Sequence, residues 1–387
     1  MRRVFLLIFL FIILQGFYAG VTTSPKELDS VIYHIPIAKS YLTGDIFSSP
    51  KSSILHRFFP GASEGILALF LLANIPLNLY NVLGVICLFF ACYFLGKKTG
   101  LSKDSSLIFA VSFCSLTAVI RWMNVQIVDI WMVVFYAGAL ALLVKPEKNT
   151  SYFLKLGVIV GMILGTKYSG PLFVTILFIF FGKKLLLRLL RHFIPRNDII
   201  NMIIFIIPVL IFGGFWYLRN FIVMGNPLYP ISFLSFPGVK DWALEIPVWK
   251  AILNYPTSFA TAVLSEYLVW SLLFIPAIMY SGYELFKKRR FSFSTSILLL
   301  SLCNLIVYFL LPNGASYRVH VSNLRYSYPV FLPFLLSIFL IAKERKWDEF
   351  LGVFALANVL FSLQFPYHPK LLIIYIPLAL FIWRRRV

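Results

Sequence analysis

Apolar residues fill this chain in long blocks, with neither the alternation of a half-buried strand nor the single stripe of a surface helix. A helix rises 1.5 Å per residue, so crossing a hydrocarbon layer about 30 Å thick takes roughly 17 to 25 residues. The blocks predict spans near 4–20, 78–96, 105–121, 126–144, 152–167, 169–182, 199–217, 263–283, 293–311, 327–342, 349–363 and 370–384. The expected fold class is therefore all-α: a polytopic membrane bundle of about twelve spans, with external loops and surface helices. Composition agrees, since 60% of the 387 residues are hydrophobic and only 13% charged. The first run follows Arg2 and Arg3, is long, and lacks a clean small-x-small cleavage site, so an uncleaved span is expected. The four cysteines, Cys87, Cys92, Cys114 and Cys303, lie in apolar stretches without metal-ligand spacing and read as packing residues.

A net charge of +20 would suggest a nucleic-acid partner in a soluble protein. Its distribution says otherwise. With the N-terminus inside, the cytoplasmic segments hold 23 of the 35 basic residues, whereas the 15 acids divide 7 inside to 8 outside. That is the pattern of a rule about Lys and Arg. It predicts a multi-pass protein of the cell (inner or plasma) membrane, both termini cytoplasmic, with the bilayer rather than nucleic acid as its surroundings. Counting the apolar stretch 61–75 as a span would place Lys287, Lys288, Arg289 and Arg290 outside, so this stretch is expected to lie along or dip into the outer surface. The segment 183–193, KKLLLRLLRHF, reads as an interfacial helix or as a continuation of the sixth span. Three stretches follow: a seven-span module 1–217, whose external loop 21–77 carries the surface helix, a Pro-rich external loop 218–262, and a five-span module 263–387.

Polar residues gather at the expected outer face. Asp29, Tyr33, His34, Glu64, Asp129, Lys167, Arg219, Asn220, Arg318, His320 and Arg325 are far apart in sequence yet fall at one depth. Charges at the hydrocarbon edge cost about 2.5 to 3.5 kcal/mol each on insertion scales, so pairing or function must offset them. For Asp129 a structural ion pair with Arg121 is one expectation. A solvated carboxylate is the alternative for Glu64, and a locally hydrogen-bonded histidine for His34.

Several segments resemble the membrane-embedded C-type glycosyltransferases, in particular the protein mannosyltransferase and aminoarabinose transferase-like bacterial members. LDSVIYHIPIAKSYLTGDI (28–46) is similar to their first external loop, and FFPGASEGILALFLL (58–72) to the Glu-containing helix that follows. VQIVDIWMVVFYAGAL (125–140) resembles the second acidic position, GTKYSG (165–170) a family turn, and WYLRNFIVMGNPLYP (216–230) the Arg-Asn and Gly-Asn-Pro-x-x-Pro segment. RYSYPVFLPF (325–334) is similar to a later Arg-Tyr-x-x-Pro element. Asp29 is followed by Ser30, a departure from the adjacent acid pair of many relatives.

The resemblance implies a glycosyltransferase that moves a sugar from a polyprenyl phosphate or diphosphate carrier to an acceptor, whether lipid, glycan or protein, on the non-cytoplasmic face. It implies Asp29 as catalytic base, and Lys167, Arg219 and Arg325 as binders of the donor phosphate. Glu64, Asp129 and His34 would support the base or complete a divalent-metal site, with Tyr33 and Asn220 in supporting places. A transporter or flippase, or a ligase moving a whole lipid-linked glycan, is the alternative. The first of these predicts internal repeats and charges at the bilayer midplane, and neither is found.

Overall fold

The computed structural model describes residues 1–47, 56–147, 149–182, 196–239, 246–287, 289, 291–313 and 318–364. The expected last span 370–384 and the segment 183–193 lie outside the described residues. Among those described, six helices are long and apolar enough to cross a membrane. They are Arg2–Thr22, Leu77–Lys98, Ile199–Met224, Pro256–Phe286, Phe293–Leu310 and Val321–Arg345. Shorter apolar helices accompany them, and the chain is an all-α, polytopic membrane protein.

Helices begin where the sequence supplies caps. Asn149 Oδ1 accepts from Tyr152 N at 2.7 Å to start Thr150–Thr166, and Ser102 Oγ accepts from Ser105 N at 3.0 Å to start Lys103–Cys114. Two expectations change. The run 105–121 is not one span, because the helix Lys103–Cys114 stops at Ser115 and only the turn Thr117–Ile120 follows. Its serines explain this, since Ser105, Ser106 and Ser112 are buried among neighbouring helices, leaving no face for lipid. The run 126–144 becomes helical only at Asp129, because Asn81 Nδ2 holds the carbonyls of Val125 (2.6 Å) and Ile127 (2.9 Å) out of the helix. The stretch 61–75 forms Ala62–Leu72, whose 11 residues reach only about 16 Å and cannot cross the hydrocarbon alone.

The chain divides into two compact units that interleave the stretches drawn from sequence order. One comprises Met1–Gln15, Val85–Arg121 and Pro247–Val387. Within it Lys103–Cys114 packs on Val321–Arg345 and on Asp348–Gln364, and Arg121 forms an ion pair of 2.6 Å with buried Glu266. The other comprises Gly16–Gly84 and Trp122–Ile246. Here Gly157, Gly161 and Gly165, four residues apart, form a seam on Thr150–Thr166. A Cβ on any of them would strike the backbone oxygen of Phe205, Pro208 or Phe212. Small residues at this spacing let two helix backbones touch.

Candidate active site

In the second unit, Asp29 opens a π-helical turn, Ser30–His34, that runs into the helix Ile35–Thr43. Such turns are rare and concentrate at functional sites. Glu27 Oε2 accepts from Ser30 N (2.8 Å) and Ser30 Oγ (3.1 Å), and Ser30 Oγ in turn accepts from Gln126 N at 3.1 Å. The loop carrying Asp29 is thereby fixed just before Asp129–Val144. Asp29 itself is half-buried.

Tyr33 lies one turn beyond Asp29, and its ring stacks on that of His56 with centroids 4.5 Å apart. His34 Nδ1 meets Glu64 Oε1 at 2.8 Å, and the two side chains are only 3% and 2% exposed. The second oxygen of Glu64, Oε2, has no hydrogen-bond partner among the described residues. Burial lowers the pKa of His56; Asp29 opposes that effect and His34 adds to it. Burial also pushes the Tyr41 hydroxyl above the ordinary phenol range, so it stays a donor, to the Gly61 carbonyl at 2.7 Å.

Asp129, the first residue of its helix, forms an ion pair with Lys167. The next residue, Tyr168, accepts from Asn220 Nδ2 at 2.8 Å, and the same amide reaches the Phe58 carbonyl at 2.8 Å. Arg219 is buried, with its guanidinium 4.9 Å above the Trp216 ring. It donates to Asn220 Oδ1 (2.9 Å) and to the carbonyls of Ile46 (3.3 Å) and Arg57 (3.4 Å). Trp216 and Ile46 also line a cavity of about 430 Å³, whose remaining walls include Ala62, Ile66, Leu69, Ile211, Phe212 and Phe215. Arg219 thus touches two of the residues that line this apolar groove, Trp216 and Ile46. Leu69 and Ile211, both largely exposed, stand on its open side.

No protein-family model and no curated protein matches this sequence. Solved structures do. ArnT from Cupriavidus metallidurans bound to undecaprenyl phosphate superposes with a TM-score of 0.57 at 13% identity, over 93% of this chain and 64% of that one. Its apo state gives 0.57 at 12% identity, over 92% and 62%. The arabinofuranosyltransferase AftD from Mycobacteria gives 0.53 at 13% identity, over 96% of this chain and 27% of that one. The fold is that of the C-type membrane glycosyltransferases. This chain spans less than two thirds of either C-type protein's length.

On the C-type fold the sequence-expected residues separate into groups. Tyr33, His34, Glu64, Asp129, Lys167, Arg219 and Asn220 join Asp29 in one unit, whereas Arg325 belongs to the other. There Arg325 is buried on the turn Val321–Ser327 and donates to Tyr326 Oη at 3.2 Å. The ion pair expected between Asp129 and Arg121 does not form; Lys167 takes Asp129 and Glu266 takes Arg121. Glu64 is held by His34 and Asp129 by Lys167, and no group of three or more His, Cys, Asp or Glu ligands forms among the described residues. Two side chains at this site escaped sequence reading. His56 and Arg57 follow a polar stretch of sequence with no motif, and nothing in it signals that His56 stacks on Tyr33.

Proposed function

We propose that this chain transfers a sugar from a polyprenyl-phosphate-linked donor to an acceptor hydroxyl or amide on the non-cytoplasmic face of the cell membrane, with both chain termini cytoplasmic. The supporting observation is the apolar groove lined by Trp216, on whose ring Arg219 rests, in the same unit as the loop that presents Asp29. An isoprenoid tail suits the groove, and its phosphate would meet a guanidinium that pairs with no carboxylate among the described residues. The acceptor's hydroxyl oxygen or amide nitrogen attacks the anomeric carbon, its proton passes to the Asp29 carboxylate, and the bond from that carbon to the phosphate oxygen breaks with the electron pair left on the phosphate. Arg219 is already fixed where charge develops, so it lowers the barrier without reorganising. His34 and Glu64 hold the turn that aims Asp29.

The test is Asp29→Asn. Transfer, followed by mass spectrometry of cell-envelope glycans and by radiolabelled sugar release from the lipid, should fall by roughly 10²- to 10⁴-fold, with membrane insertion unchanged. Wild-type transfer by this variant would remove Asp29 from the mechanism.

A further inference from the structure

The chain leaves the span Ile199–Met224 through Gly225 and soon folds into a short hairpin. Buried Asn226 donates from Nδ2 to the carbonyls of Ile231 and Pro237, and Val239 N donates to the Pro230 carbonyl at 3.0 Å. Phe233 and Phe236 exchange backbone hydrogen bonds of 3.2 and 2.9 Å, which leaves Leu234 and Ser235 as the tip. The hairpin is thus tied at its base, yet its apolar end finds little protein to touch: Leu234 is 86% exposed and Phe233 44%. Leu234 also has a φ of +50°, a left-handed conformation that two-residue hairpin loops normally leave to glycine or asparagine. A bulky apolar side chain at that place costs conformational energy and gains little packing from this chain.

The ring of Phe236 stands edge-on to that of Phe221, with centroids 6.1 Å apart. Phe221 belongs to the end of the membrane-spanning helix, where Phe221, Ile222 and Val223 are all exposed. An exposed apolar side chain on a span meets lipid, so the hairpin leans on a part of the helix that itself touches the bilayer. We propose that the tip, Phe233 and Leu234, inserts into the bilayer interface at that end of the span and anchors the loop there. The partner is a lipid surface, and taking leucine and phenylalanine out of water offsets the strain at Leu234. The same loop reaches the candidate site. The Tyr229 carbonyl accepts from Tyr168 Oη, and the Tyr229 ring meets that of Phe58 at 5.1 Å. The anchor therefore steadies the turn that carries Lys167, whichever donor and acceptor the site takes.

The test places a nitroxide on Leu234→Cys in the full chain in nanodiscs, with the labelled wild type supplying the background of Cys87, Cys92, Cys114 and Cys303. Relaxation of the label by oxygen, which concentrates in hydrocarbon, is compared with relaxation by a water-soluble nickel chelate. The label should collide more with oxygen than with the chelate, at a depth of roughly 5 to 10 Å into the headgroup and acyl boundary. If Leu234→Cys does not fold, as judged by its unfolding temperature, Phe233→Cys carries the label instead. Chelate collisions as frequent as those of the free label in buffer would put the tip in water and overturn the anchor. A label immobilised and shielded from both reagents would mean that protein covers the tip, which overturns it equally. Adding Leu234→Gly to labelled Phe233→Cys relieves the backbone strain but removes the apolar side chain, and it should shift the label toward the chelate. An unchanged depth in that double variant would overturn the part given to Leu234.

Discussion

The Asp129–Lys167 pair should respond asymmetrically to the loss of either partner. Asp129 is 4% exposed and Lys167 23%, so the two side chains have unequal access to water once the pair is broken. Removing the cation strands a carboxylate that cannot turn outward, the case in which breaking a buried pair costs about 3 to 5 kcal/mol. Removing the carboxylate leaves a flexible ammonium that can swing to water, closer to the ~0 to 1 kcal/mol of exposed pairs. We expect Lys167→Ala to cost about 3 kcal/mol and Asp129→Ala about 1 kcal/mol. The double variant should cost less than Lys167→Ala alone, with a coupling of roughly 2 kcal/mol. SDS titration in mixed micelles, followed by tryptophan fluorescence and far-ultraviolet dichroism, measures all four corners of the cycle. If Asp129→Ala costs as much as Lys167→Ala, or if the two losses simply add, then burial does not control this pair and Lys167 is freer to bind a ligand than described above.

Two further outcomes follow from the same unit. Because burial depresses the His56 pKa, the unfolded chain binds more protons than the folded one between the folded value and about 6.5, so stability should decline as pH falls below about 6.5 and be constant above it. Unfolding scans at pH 8 and 5.5 should show a shift that His56→Gln reduces; an equal shift in that variant would rule His56 out as its source. Gly161→Val should force the seam apart and cost about 1 to 3 kcal/mol or more, while Gly282→Ala, where nothing lies within 4 Å, should be neutral or stabilise by up to about 1 kcal/mol in the same SDS titration. Equal effects of the two would mean that the seam is not tightly packed.

Long apolar blocks fix helices well because length alone decides them, and so Arg2–Thr22, Leu77–Lys98 and Phe293–Leu310 lie close to the predicted spans. Lys103–Cys114 was misjudged because hydropathy registers how apolar a segment is, without showing whether lipid or protein faces it, and serines are hidden as readily as leucines in a close-packed interior. In the site, residues on helices or just outside them were legible, since a carboxylate at the edge of an apolar run is costly and therefore conspicuous. Their pairing was not. Lys167 reaches Asp129 across 38 residues and His34 reaches Glu64 across 30, distances at which sequence carries no geometric information. The Asn226 of the Gly-Asn-Pro-x-x-Pro motif proved to organise the loop itself, bonding Ile231 and Pro237 carbonyls at 2.9 Å each.

The interleaving of the two units has a consequence for biosynthesis. Lys103–Cys114 is too short to span, buried along most of its length, and completed by contact with Val321–Arg345 and Asp348–Gln364, including a Ser105 Oγ bond to Asp348 Oδ1 of 3.0 Å. Those partners leave the ribosome some 230 residues later, roughly 10 to 50 s at about 5 to 20 residues per second. Throughout that interval a helix bearing three serines must be sheltered by something other than its eventual neighbours, because lipid offers its hydroxyls nothing to bond. The insertion machinery, or a chaperone at the bilayer, has to keep this segment from settling into a wrong partnership until the last helices arrive.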